Sequence, residues 1–139
     1  MSSLEKLAAL AIDCGYRIHH DLGPGLLESV YETLLAAKLA RSGIPVERQK
    51  KVAFEYDGIR IHEGFRADLL IDRCLVVEVK STERLAAVHS RQVLTYLRLL
   101  ELPLGLLMNF GGVTFREGLR RVINDQTKQP KPFGNHCAQ

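Results

Sequence analysis

The stretch "RADLLIDRCLVVEVKS", residues 66–81, decides how this chain folds and what chemistry it offers. Two apolar runs flank a short polar turn at Asp72-Arg73. Three charges, Asp68, Glu78 and Lys80, interrupt those runs where Leu, Ile or Val would otherwise stand. A charge buried without a partner costs on the order of several kcal/mol, so these groups are either solvated or used together. Strand alternation sets Val76, Glu78 and Lys80 on one face and Leu75, Val77 and Val79 on the other. Asp68 belongs to the preceding antiparallel strand, and two registers are open to it. A two-residue turn at Asp72-Arg73 pairs Ile71 with Cys74 and sends Asp68 and Glu78 to opposite faces. A three-residue loop from Asp72 to Cys74 pairs Ile71 with Leu75 and sets Asp68 directly across from Glu78.

In the second register two carboxylates oppose each other, which is repulsive unless something cationic lies between them. Lys80 supplies one positive charge on the same face. A hard divalent cation supplies more, and Mg²⁺ is commonly held by one or two carboxylates together with substrate phosphate. Such a grouping suits phosphodiester hydrolysis. The metal polarises the phosphate and activates water, while a lysine orients the nucleophile and offsets charge in the transition state. The plainer reading makes Glu78 and Lys80 a solvated pair on an exposed sheet face, with Asp68 ending its strand. The spacing Asp…Glu-x-Lys does not by itself choose between the two.

Working outward, 139 residues suffice for one domain with its own core. A composition 46% hydrophobic and 25% charged is that of an ordinary globular chain. No run of eighteen apolar residues occurs, so no transmembrane helix and no membrane partner are expected. Acidic residues break up the first twenty positions where a signal peptide needs an apolar core, which leaves the cytoplasm as the default location. Cys14, Cys74 and Cys137 are widely spaced and form no CxxC pair; Cys14 and Cys74 read as small core fillers. A net charge of +3 permits a polyanionic partner without requiring one.

Ser2 and Glu5 have capping-box spacing, and Leu4, Leu7, Ala8, Ala11, Ile18 and Leu22 recur at helical intervals, predicting a helix over about 3–21. A second helix is expected from Pro24 or Gly25 to a stop at Gly43. "VAFEYDGIRIHEGFRADLLI" alternates around Asp57-Gly58, a hairpin signal between strands near 47–56 and 59–70. "CLVVEVKS" is a third strand, 83–101 a helix ended before Pro103, "LGLLMNF" a short buried strand, and "FREGLRRVI" a short helix or final strand. The order α-α-β-β-β-α-β predicts an α/β domain over 1–124 with a mixed four-stranded sheet, followed by a polar tail at 125–139.

Three further features bear on the charged stretch. Gly25, Glu28 and Tyr31 stand three apart in "GLLESVY", so Glu28 and Tyr31 share a helix face. Alone, Glu28 reads as an acid complementing the helix dipole and Tyr31 as a core aromatic. Gln92 and Tyr96 interrupt an apolar stripe of Leu85, Val88 and Leu99 where the crossover helix should pass the third strand. They are either satisfied polar groups or partners for a phosphate, the lysine or a water. Basic residues at 47–51 and 115–121, with Arg84, Arg91 and Arg98 spaced at seven, are solvated surface or a backbone-binding strip. The five histidines lack the spacing of a helical zinc site, although His89 falls at the edge of the stripe.

Gly25-x-x-Glu28-x-x-Tyr31, "FRADLLID", "LVVEVKS", "HSRQVLTYLRL" and "LGLLMNFG", in this order, resemble the GxxExxY family of the PD-(D/E)XK nucleases. The resemblance spans residues 4 to about 123 and implies a restriction-endonuclease-like core α-β-β-β-α-β with one extra N-terminal helix. It implies Asp68 and Glu78 as metal-binding acids, Lys80 as the catalytic lysine and Glu28 as an additional acid from the preceding helix. Gln92 and Tyr96 are similar to the Gln-x-x-x-Tyr pair of exonuclease-like branches. Ala67 stands where the superfamily's name has proline, a position without side-chain chemistry. The expectation is a nuclease using Mg²⁺, or Mn²⁺ in its place, on nucleic acid, with DNA favoured over RNA. Glu28, Asp68, Glu78 and the Val79 carbonyl would hold the metal, and Arg84 and Arg91 would grip the substrate. A homodimer would bring two sites to two strands. The competing expectation is a non-catalytic module that keeps the fold and binds nucleic acid or protein.

Overall fold

A computed structural model describes residues 2–125 of the 139-residue chain. Apart from Asp125, the expected polar tail lies outside the described residues. Helix α1 spans Ser3–Leu22, and the Ser2 hydroxyl accepts the Glu5 N–H at 3.1 Å, as the capping signal required. Helix α2 spans Glu28–Arg41. Its start falls later than expected because Gly23 and Gly25, on either side of Pro24, adopt φ of 73° and 107°, which a right-handed helix excludes. Glu28 thereby becomes the first residue of the helix. Gly43, at φ 80°, ends it as expected.

Strands β1 (Val46–Tyr56) and β2 (Ile59–Ile71) form the hairpin, turning at Asp57 and Gly58 with φ of 51° and 75°. Both angles are positive, as a type I′ turn demands. Strand β3 (Leu75–Lys80) follows after the loop Asp72–Cys74, where Asp72 and Arg73 adopt φ of 50° and 57°. The resulting register pairs Ile71 with Leu75, Leu70 with Val76 and Leu69 with Val77. The three-residue loop is therefore the one formed.

Helix α3 (Ala87–Leu100) crosses to β4 (Leu104–Asn109), which runs parallel to β3 with Lys80 beside Asn109. Every residue of β4 is buried, which explains its unbroken apolar run. A 3₁₀ turn at Arg116–Gly118 leads into β5 (Leu119–Ile123), antiparallel to β4. The sheet thus has five strands in the order β1-β2-β3-β4-β5, one more than expected, because "FREGLRRVI" forms both the short helix and the strand.

The helices cover both faces. A β-carbon on Gly105 would meet Val93 of α3, whereas Met108, of opposite parity on β4, lies close to Gly15 of α1. Alternation therefore puts α1 and α3 on opposite sides. Tyr31 of α2, fully buried, stacks on Phe110 at 4.5 Å between ring centres and 8° between planes, seating α2 on the α1 side. Its hydroxyl donates to the Gly23 carbonyl at 2.6 Å and accepts the Leu26 N–H at 3.2 Å, tying down the glycine loop. Residues such as Leu35, Leu69, Ile71, Leu75, Leu97 and Leu106 fill the core, each removal from water stabilising by about 1.5–3 kcal/mol.

Candidate active site

Backbone pairing between β2 and β3 ends at Leu69 and Val77. The next residues in register are Asp68 and Glu78, and there side chains replace the ladder. The Asp68 N–H donates to Glu78 Oε2 at 2.7 Å, and the Val79 N–H donates to Asp68 Oδ2 at 2.9 Å. Each carboxylate accepts a backbone N–H of the neighbouring strand, and both lie in a gap in the sheet. Asp68 is half-buried and Glu78 is 4% exposed.

The charge of Asp68 lies directly against a buried neighbour. Burial, reinforced by the charge of Asp68, pushes the Glu78 carboxyl up from 4.5 to about 8. The Asp68 N–H and the Lys80 ammonium oppose that rise without cancelling it. Lys80 ends β3, half-buried, and its ammonium makes no hydrogen bond or ion pair with the described residues. By register, Glu78 and Lys80 share the face on which α3 packs.

Tyr96 of α3 stacks on Phe65 of β2 at 3.9 Å and 7°. Burial first, then the charges of Glu78 and Asp68, raise its phenol pKa, so the hydroxyl lies within electrostatic reach of both acids. Gln92 does not join them. It is exposed and its side chain makes no hydrogen bond with the described residues, because α3 packs chiefly on β4 and β5 through Val93 and Leu97. Of the expected stripe, Leu85 precedes α3 and packs against the core, while Val88 and Leu99 are exposed, Val88 at 57%. Glu28 is likewise exposed, at the amino end of α2.

The fold brings to the acids two further residues that are absent from the sequence-based expectations. Glu32 lies one turn after Glu28 on α2, only 6% exposed, and its charge adds to the upward pressure on Glu78. Gln49 of β1 donates from Nε2 to Glu32 Oε1 at 2.8 Å and to Asp68 Oδ1 at 3.2 Å. The i, i+4 spacing from Glu28 was a usable signal for Glu32. Gln49, inside "ERQKK", looked like one more polar residue in a basic run.

Arg84 precedes α3 and is not on it, so the expected helical strip of three arginines reduces to Arg91 and Arg98, both exposed. The helix starts late because Asn109 holds the preceding segment. Its Oδ1 accepts the Thr82 N–H and its Nδ2 donates to the Thr82 carbonyl, each at 2.9 Å. The Ala86 N–H then donates to His89 Nδ1 at 3.1 Å, giving that histidine a capping role. Arg84 lines a pocket of about 560 Å³ with Asn109, Glu117 and Arg120 at the carboxyl ends of β3 and β4. A β-carbon on Gly111 would lie 2.1 Å from the Thr82 carbonyl. Gly111→Ala is therefore expected to destabilise the chain by about 1–3 kcal/mol, seen as a lower midpoint in thermal unfolding.

A divalent cation fits this donor set in one particular way. Among the described residues no three His, Cys, Asp or Glu side chains converge on one point. Two adjacent carboxylates, one buried and resisting ionisation, are what a Mg²⁺ site uses when water and substrate phosphate fill the remaining positions. Among the described residues no helix is long and apolar enough to cross a membrane.

A family model described as the PD-(D/E)XK nuclease superfamily matches residues 5–122. No curated protein and no solved structure matches the chain.

Proposed function

The chain belongs to the PD-(D/E)XK nuclease superfamily, and on that premise we propose that it is a Mg²⁺-dependent nuclease hydrolysing phosphodiester bonds in nucleic acid. The observation that carries this reading is the facing pair Asp68 and Glu78 in the sheet gap, with Lys80 two residues further along β3. Asp68, Glu78 and the Val79 carbonyl would hold the ion, and Glu28 is assigned as a further acid on sequence grounds. Mn²⁺ would serve in place of Mg²⁺. The bound ion supplies Lewis-acid polarisation of the scissile phosphate.

The other steps fall to side chains. Lys80, whose ammonium makes no hydrogen bond or ion pair with the described residues, donates to the attacking water or to a phosphate oxygen and offsets charge as it builds. Tyr96, on the α3 side of the gap, supports that lysine; Gln92, one turn earlier and exposed, is assigned to the substrate. Arg84 and Arg91 contact flanking phosphates, and Arg84 does so from the pocket at the strand ends. DNA is the expected substrate.

The test is incubation of the full chain with end-labelled single-stranded DNA, duplex DNA and RNA, in Mg²⁺, in Mn²⁺ and in EDTA. Fragments that appear with either ion and vanish with EDTA are the expected result. Salt-sensitive binding with no turnover at any metal concentration would replace the nuclease reading with that of a binding module.

A further inference from the structure

Gln49 occupies an unusual place. The pairs Arg48 with Leu69 and Lys50 with Ala67 flank it, so it stands opposite Asp68 across the hairpin. Its φ is 48°, a left-handed conformation inside a strand and unfavourable for any residue with a β-carbon. The turn redirects the side chain so that one amide nitrogen serves two carboxylates, Glu32 at 2.8 Å and Asp68 at 3.2 Å. Because both acceptors are carboxylates, only the NH₂ end of the amide can serve them. The far acid is anchored in turn: Arg48 donates to Glu32 Oε2 from Nε at 3.3 Å and from Nη2 at 3.1 Å.

We infer that Gln49 is a positioning residue. It fixes the Asp68 carboxylate from the side opposite Val79, with Glu32 and Arg48 as its anchor on α2 and β1. Asp68 is then held at both oxygens, Oδ2 by the Val79 N–H and Oδ1 by Gln49. A ligand held in this way keeps its orientation when an ion is absent and loses little freedom when one binds. Gln49 is itself exposed, so its hydrogen bonds add little to folding stability. Its effect is on geometry. The inference rests on the metal-dependent reading above.

The test uses the full chain and Mn²⁺ alone, followed by isothermal titration calorimetry beside thermal unfolding without metal. Gln49→Gly removes the amide and relaxes the left-handed backbone. Gln49→Met keeps the length and removes the donor. Both are expected to weaken Mn²⁺ binding about 10- to 100-fold, while Gln49→Gly unfolds at the same temperature as the unaltered chain or higher. A merely structural role predicts the reverse pattern, with affinity following the unfolding midpoint. Unaltered Mn²⁺ affinity in Gln49→Gly overturns the inference and leaves the metal reading standing. Absence of Mn²⁺ binding by the unaltered chain overturns both.

Discussion

Lys80→Ala is expected to slow metal-dependent cleavage by about 100- to 1,000-fold, with the unfolding midpoint and Mn²⁺ affinity close to those of the unaltered chain. The separation of these readouts follows from where the lysine sits. Its ammonium makes no bond with the described residues, so truncation leaves no orphaned donor or acceptor behind. The loss is then confined to charge offered to the reacting phosphate and water. One side effect has a fixed sign. Lys80 is among the groups that hold the Glu78 carboxyl down, so the variant should titrate Glu78 higher. Cleavage that survives at the original rate would remove Lys80 from the mechanism.

The metal-free chain is expected to lose stability as pH rises between about 4.5 and 8. Burial, and next the charge of Asp68, raise Glu78 from 4.5 to about 8 in the folded protein. Between those values the folded chain keeps a proton that the unfolded chain has released. Unfolding thus becomes easier by about 1.4 kcal/mol per pH unit until the folded carboxyl ionises as well. Chemical denaturation across this range measures the slope, and Glu78→Gln should flatten it. On the proposed metal-dependent function, Mg²⁺ would compete with the proton, so binding at pH 7 should release protons, detectable as calorimetric heats that change with buffer ionisation enthalpy. A flat profile for the unaltered chain would mean that the Glu78 charge is already compensated.

Local signals in the sequence were sufficient for much of the fold. The Ser2 cap and the Asp57-Gly58 turn owe their structure to neighbours within a few residues, and the apolar run of β4 marks a buried strand by composition alone. The register of β2 on β3 was legible as a choice between two, and the left-handed angles at Asp72 and Arg73 resolve it. The starts of α2 and α3 were less legible for different reasons. At α2 two glycines take positive φ, while at α3 Asn109 clamps Thr82 from 27 positions away. Rotation about α3 was hidden as well, because its packing on β4 and β5 turns Val93 inward and Gln92 outward. The acids and lysine stood out because charge in an apolar strand is costly. Glu32 and Gln49 did not, because their importance comes from a contact between α2, β1 and β2 that no short window contains.

Beyond Leu69 and Val77 two neighbouring strands are joined through carboxylates, and this constrains how such a chain can fall silent. An apolar residue at position 68 strands the Val79 N–H, and one at position 78 strands that of Asp68. Each abandoned donor costs about 1–3 kcal/mol if no water reaches it. Asparagine or glutamine leaves an oxygen in the same place and forfeits only charge. Amides at these two positions would therefore remove the proposed chemistry with the sheet intact, whereas alanine would erode the scaffold along with it.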